Sequence, residues 1–203
     1  MILYGAPKPA PNPRRVRMFL AEKGIDLPET PLDLRKREHK SPEFREKNSL
    51  GQVPTLELDD GETLSETVAI CRYFEETQPE PPLFGRTALE KAQVDMWVRR
   101  IEFQLTTPVG LFWRHAHPLT APLLTQHKDF GESNREHVAN AMRWLDRELE
   151  GNAYIAGPDF SVADICALST VDFAHWIGLD IPDDCERLKA WRERVAARPS
   201  ASA

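Results

Sequence analysis

Cysteine is scarce in this chain: Cys71, Cys166 and Cys185 are the only three in 203 residues. Their spacings fit neither a zinc ligand set nor a disulfide framework, which points to a reducing, cytoplasmic compartment. A basic excess is also missing. Lys and Arg number 26 against 32 Asp and Glu, a net charge of −6, and without a basic footprint no nucleic-acid partner is expected. No apolar run approaches the roughly 18 residues of a membrane span. The opening MILYGAPKP lacks the charged and apolar regions of a secretory signal, so no membrane partner is expected either. What is present, 41% hydrophobic and 29% charged residues, is the composition of a folded globular protein.

The chain changes character near residue 80. Residues 1–78 alternate between strand and helix patterns. Met1–Tyr4 reads as a short strand, and the Pro- and Gly-rich Gly5–Pro11 as a loop. Asn12-Pro13 reads as an N-cap followed by a first-turn proline, with Val16, Phe19 and Leu20 at helical spacing and Gly24 as the stop. Leu27–Leu34 predicts an edge strand because prolines interrupt it. The charged segment Arg35–Asn48 follows. Asp59-Asp60-Gly61 between Val53–Leu58 and Glu62–Leu64 predicts a hairpin, and a helix over about Glu66–Glu76 closes the unit.

Residues 79–85, PEPPLFG, form a proline-stiffened linker. After it the chain is helical. Capping boxes are predicted at Thr87/Glu90, Ser133/Glu136 and Ser161/Asp164. The segment from Val162 to Phe173 is apolar on most sides and predicts a buried central helix. A last helix carries Leu188, Trp191 and Val195, and Pro199–Ala203 is expected to be poorly ordered. The expected fold class is therefore α/β plus all-α: a thioredoxin-like N-terminal domain (1–78), a linker (79–85) and an all-helical domain (86–203).

Two motifs make a resemblance specific. GQVP (51–54) and SETVAI (65–70), at this separation and followed by the Ser161-Val-Ala-Asp164 helix start, resemble the soluble glutathione transferase family across nearly the whole chain. Glutathione is an extended tripeptide with two carboxylates, an ammonium and a thiol. An extended peptide can pair with open main chain, and Val53, fixed by Pro54, suits its cysteinyl unit. Glu66 suits the γ-glutamyl ammonium. Thr67, in the first turn of a helix, suits a carboxylate. Gln52, His39 and Lys40 are donors for the glycyl carboxylate. The resemblance implies these same roles. Taken one at a time, each residue also has a plain structural explanation: a loop end, a helix N-terminus, a solvated charge run.

The residue for the thiolate is less direct. In the Ser, Cys and Thr branches of the family a hydroxyl or thiol precedes the first helix. Here that position is Ala10, which donates nothing through its side chain. Pro11-Asn12 is similar to the Nu-class, yeast-prion-related bacterial transferases, where an Asn amide helps hold the sulfur, and this implies Asn12. Tyr4 is the alternative, read chiefly as a core residue. A thiol of pKa about 8.5 needs about 2.7 kcal/mol to be mostly ionised at neutral pH. One charge-assisted hydrogen bond supplies roughly 1.5–3 kcal/mol and a helix N-terminus about 0.3–1 kcal/mol. No cysteine stands where thioredoxin relatives carry Cys-x-x-Cys, so disulfide chemistry would use glutathione itself as co-substrate.

Phe112, Trp113 and His115, read as lying between helical stretches, either line a second-substrate pocket for a flat electrophile or belong to the domain core. His115 and His117 have no third ligand near them in sequence, so no metal is expected. Cys71 and Cys166 are expected to be buried and Cys185 exposed. The resemblance implies a glutathione transferase acting on an electrophile or mixed disulfide, as a homodimer. The alternative is a non-catalytic glutathione- or ligand-binding module on the same scaffold.

Overall fold

The apolar residues after Met1 form β1 (Ile2–Gly5), at the interior of a four-stranded sheet ordered β2-β1-β3-β4. These relationships come from a computed structural model that describes residues 1–203. β2 (Glu29–Pro31) runs parallel to β1 at the edge, where the missing N–H of Pro31 is tolerated. The strand is shorter than the Leu27–Leu34 expectation. β3 (Thr55–Glu57) is antiparallel to β1, with Leu3 opposite Leu56, and β4 (Thr63–Ser65) is antiparallel to β3. The expected hairpin closes as Gly61 N–H donates to Leu58 O at 3.1 Å, with Gly61 at φ 87°, a conformation that favours glycine.

Helix α1 (Pro11–Lys23) ends at Gly24, whose φ of 65° allows its N–H to turn back to Ala21 O. Its start corrects the sequence reading: Ala10 is the N-cap and Asn12 is the second helical residue. Proline fits the first turn because N–H groups there have no intrahelical partner, so both Pro11 and Pro13 are accommodated there. The charged segment folds as a 3-10 turn (Glu38–Lys40) and α2 (Pro42–Lys47), capped by Ser41 Oγ accepting from Phe44 N–H. α3 (Thr67–Thr77) packs on α1. Leu3, Leu56, Val16, Phe19, Ile70 and Phe74 are buried. Tyr4 points the other way and meets Phe44 edge-on at 5.8 Å.

This first unit comprises Met1–Leu83 and, against expectation, Pro199–Ala203. The terminal residues form a 3-10 turn over Pro199–Ser202 with Ser200 and Ala201 buried. The segment is tied by hydrogen bonds to Lys8, Arg14 and Glu22 of the first unit.

The second unit, Phe84–Arg198, is helical. The Thr87/Glu90 capping box opens α4 (Ala88–Ile101), which runs through a π-turn at Glu102–Thr106 into α5 (Thr107–His115). Phe112, Trp113 and His115 therefore lie within a helix rather than between helices. Pro108 gives no N–H to this turn, while Thr107 satisfies Glu102 O with its backbone N–H and its hydroxyl. α6 (Lys128–Glu148) starts earlier than the expected capping box; Ser133 lies inside it and donates to Phe130 O. α7 (Val162–Trp176) is the buried centre, opened by the Ser161/Asp164 box, and α8 (Glu186–Ala196) buries Leu188, Trp191 and Val195. Cys185 is buried like Cys71 and Cys166, which corrects its expected exposure.

Candidate glutathione site

The sheet register gathers the two sequence motifs. Thr55 pairs with Tyr4 on one side and with Ser65 on the other. Val53–Pro54 immediately precedes β3, and by this antiparallel register it faces the residues after Ser65 at the start of α3, while the C-terminal end of β1 leads from the same sheet end into α1. The Val53–Pro54 peptide is cis. Neither the N–H nor the C=O of Val53 bonds to another group of the protein.

A buried polar network fixes the turn before it. Asn48 Nδ2 donates to Gln52 O at 2.9 Å and Thr55 Oγ1 at 3.1 Å, and Thr55 Oγ1 donates to Gln52 O at 3.0 Å. The Gln52 carbonyl is thus occupied, while its side chain is exposed. The 3-10 turn lies against this loop: Lys40 Nζ donates to Leu50 O at 2.8 Å, and a Cβ on Gly51 would fall 2.5 Å from His39 O. Gly51 is needed for that approach and for its φ of 54°. Burial, then the Lys40 and Arg37 charges, pull the His39 imidazole below the ordinary histidine range. The neutral form of His39 is thus favoured, and the positive charge of this corner comes from Lys40 and Arg37. His39 Nδ1 is buried without a hydrogen-bond partner.

At the start of α3, Glu66 has φ 68° and ψ 121°, a costly backbone conformation for a residue with a Cβ. Thr67 is buried and Glu66 is exposed. No side chain caps this helix, and the N–H groups of Thr67, Val68 and Ala69 bond to no other group of the protein. Three aligned donors at a helix N-terminus form an anion cradle. The Ser65 hydroxyl beside them is also without a partner. Ser65, quoted in the sequence only within the 65–70 motif, is not among the residues assigned a role there; its place just before the helix was the signal.

At the start of α1 the donors reduce to one residue. Pro11 and Pro13 have no N–H, and Ala10 N–H donates to Pro7 O at 3.2 Å. Of the donors that a helix start leaves open, only Asn12 N–H remains. The Asn12 side chain is exposed and makes no hydrogen bond within the protein, so capping does not compete for its amide. Tyr4 is engaged elsewhere. Its hydroxyl donates to Glu57 Oε2 at 2.7 Å, and that bond and burial raise its pKa above the ordinary tyrosine range.

Phe112, Trp113 and His115 keep three different sets of neighbours. Phe112 is buried, with the Arg135 guanidinium 4.7 Å above its ring. Trp113 joins an aromatic cluster with His117, Phe173 and Trp176. His115 stands against His127 and Phe130. No helix is long and apolar enough to cross a membrane.

The N-terminal domain model of the glutathione S-transferase family matches residues 10–77, and the family's C-terminal domain model matches residues 110–199. Glutathione S-transferase 2 of Saccharomyces cerevisiae is 40% identical over 204 residues, covering 98% of this chain and 87% of that protein. The crystal structure of Gtt2 from Saccharomyces cerevisiae superposes with a TM-score of 0.94 at 39% identity, over 100% of this chain and 99% of that one. A glutathione S-transferase domain-containing protein of Marinobacter aquaeolei VT8 gives 0.92 at 38% identity, over 98% and 99%. With both domain models matched in order and a relative 40% identical across nearly its whole length, the chain belongs to the glutathione S-transferase family.

Proposed function

We propose that this protein is a glutathione transferase that binds glutathione on its N-terminal unit and directs the thiolate at an electrophile or a mixed disulfide. One observation carries the reading: the open main chain of Val53 stands beside three open N–H groups of α3, in a chain of this family. Main-chain pairing at Val53 takes the cysteinyl unit as an added strand would. The α3 donors, with Ser65 and Thr67, take the γ-glutamyl carboxylate, and Glu66 accepts from its ammonium. Lys40, His39 and Gln52 serve the glycyl carboxylate.

Asn12 donates to the sulfur through its side-chain amide, its backbone N–H or both. These donors favour the thiolate over the thiol. The released proton goes to solvent, and the sulfur's electron pair forms a bond to carbon, expelling a leaving group, or to one sulfur of a disulfide, expelling the other as thiolate. The Trp113 cluster offers flat surfaces to an aromatic electrophile, whereas Phe112 belongs to the helical core. The reading carries with it a cytoplasmic homodimer, checked in part by light scattering on the eluting protein.

Calorimetric titration tests the binding half. Folded protein that takes up no glutathione at millimolar concentration would end it. A second reading, a non-catalytic binding module, draws on Ala10. It is favoured if the bound thiol titrates as it does free in solution, followed by thiolate ultraviolet absorbance.

A further inference from the structure

Two cations flank Asn12 in the sequence, Lys8 before it and Arg14 after it. Both reach the same place. Lys8 Nζ donates to Ser202 O at 2.6 Å and Arg14 Nη2 to Ala201 O at 3.1 Å. The same terminal turn is anchored further along α1, where Ser200 Oγ donates to Glu22 Oε1. Ser200 and Ala201 are buried. Two of these three ties run to the two ends of the Lys8–Arg14 stretch, and the third to Glu22.

We propose that Pro199–Ala203 is a positioning element of the thiolate site: its carbonyls hold Lys8 and Arg14 and so fix the turn that presents Asn12. The segment touches neither Val53 nor the start of α3 through any hydrogen bond. Its contribution is therefore to the ionisation of the bound thiol and not to the grip on the rest of glutathione. The inference rests on the role given to Asn12 above.

The test compares wild type with a chain lacking residues 199–203 and with Ala201→Arg, whose added bulk lifts the segment from its buried seat and leaves residues 1–198 unchanged. Two quantities are read in each: glutathione affinity by calorimetry and the pH dependence of bound-thiolate absorbance. The expected result is a bound-thiol pKa raised by about half a unit or more, which is about threefold less thiolate below that pKa. Affinity measured above the thiol pKa, and activity at high pH, stay near wild type. If the shortened chain fails to fold, Ala201→Arg carries the test alone. An unmoved titration in a folded variant overturns the inference, as does a loss of affinity and activity equal at every pH, which marks a merely structural role. A wild-type thiol that titrates as free glutathione sinks the catalytic reading itself, and this inference with it.

Discussion

Thr55 lies opposite Ser65 in the β3–β4 ladder, and that one pairing brings Val53–Pro54 beside Glu66–Thr67. Each side contributes open main-chain groups, and the chain between them is a hairpin whose turn fixes the register. A slip by one residue would turn every side chain of β4 to the other face. It would also separate the two halves of the glutathione cradle.

Asn12 is the only residue of the first turn of α1 with both a free N–H and a donor side chain. Asn12→Ala removes the side-chain donor and leaves the N–H. The loss of a hydrogen bond to a charged sulfur, roughly 1.5–3 kcal/mol, predicts about a 10- to 100-fold fall in turnover at neutral pH. Glutathione affinity changes little, and the deficit closes as the pH passes the free thiol value of about 8.5. A steady-state pH profile checks this, and full rate at pH 7 removes the assignment.

Glu66 combines a strained backbone with a proposed ligand role. Glu66→Gly relieves the φ of 68°, worth about 1–3 kcal/mol, partly offset by the roughly 0.5–1 kcal/mol of added unfolded-state freedom. The variant is expected to be at least as stable to urea as wild type while binding glutathione more weakly, by about tenfold for one lost ionic contact of about 1.4 kcal/mol. Unchanged affinity would remove Glu66 from the site.

Lys23 is buried against Glu75 at 2.6 Å and donates as well to the carbonyls of Gln78, Pro79 and Pro81, while Glu75 accepts from Leu83 N–H. This cluster pins the chain after α3. Lys23→Met removes the ammonium from a buried carboxylate and from three carbonyls, and a loss of about 3–5 kcal/mol is expected in urea unfolding. Adding Glu75→Leu should recover only part of it, because the carbonyls stay unmatched.

Asp164 is fully buried and accepts from Ile155 N–H, Ser161 N–H, Ser161 Oγ and Trp191 Nε1. Burial pushes its pKa up to about 6, against those donors. A folded pKa above the unfolded one means that the group's contribution to stability is greatest below the unfolded value and is lost as pH rises through about 6. The stability gap between wild type and Asp164→Asn should therefore widen by about 1 kcal/mol from pH 7 to pH 5. Denaturant titrations at both values measure it, and a gap that narrows on acidification refutes the sign. At any pH the Asn variant is the less stable, since its amide N–H₂ faces donors.

The sequence by itself determined the features that rest on local chemistry. The Asp59-Asp60-Gly61 turn, Gly24 as a helix stop and the boxes at Thr87 and Ser161 are decided within a few residues, because turn geometry and orphan helix N–H groups are satisfied by near neighbours. The paired motifs at 51–54 and 65–70 were legible for the same reason. Tertiary structure decided where local signals competed or were silent. Asn12-Pro13 reads as the helix start, yet the helix begins at Pro11 with Ala10 as its N-cap, which released the Asn12 amide. Ser133/Glu136 has the spacing of a capping box, yet the helix begins at Lys128. The docking of Pro199–Ala203 on the first unit, the burial of Cys185 and the separate surroundings of Phe112, Trp113 and His115 depend on partners distant in sequence. Local propensity carries no information about those partners; packing and strand register do.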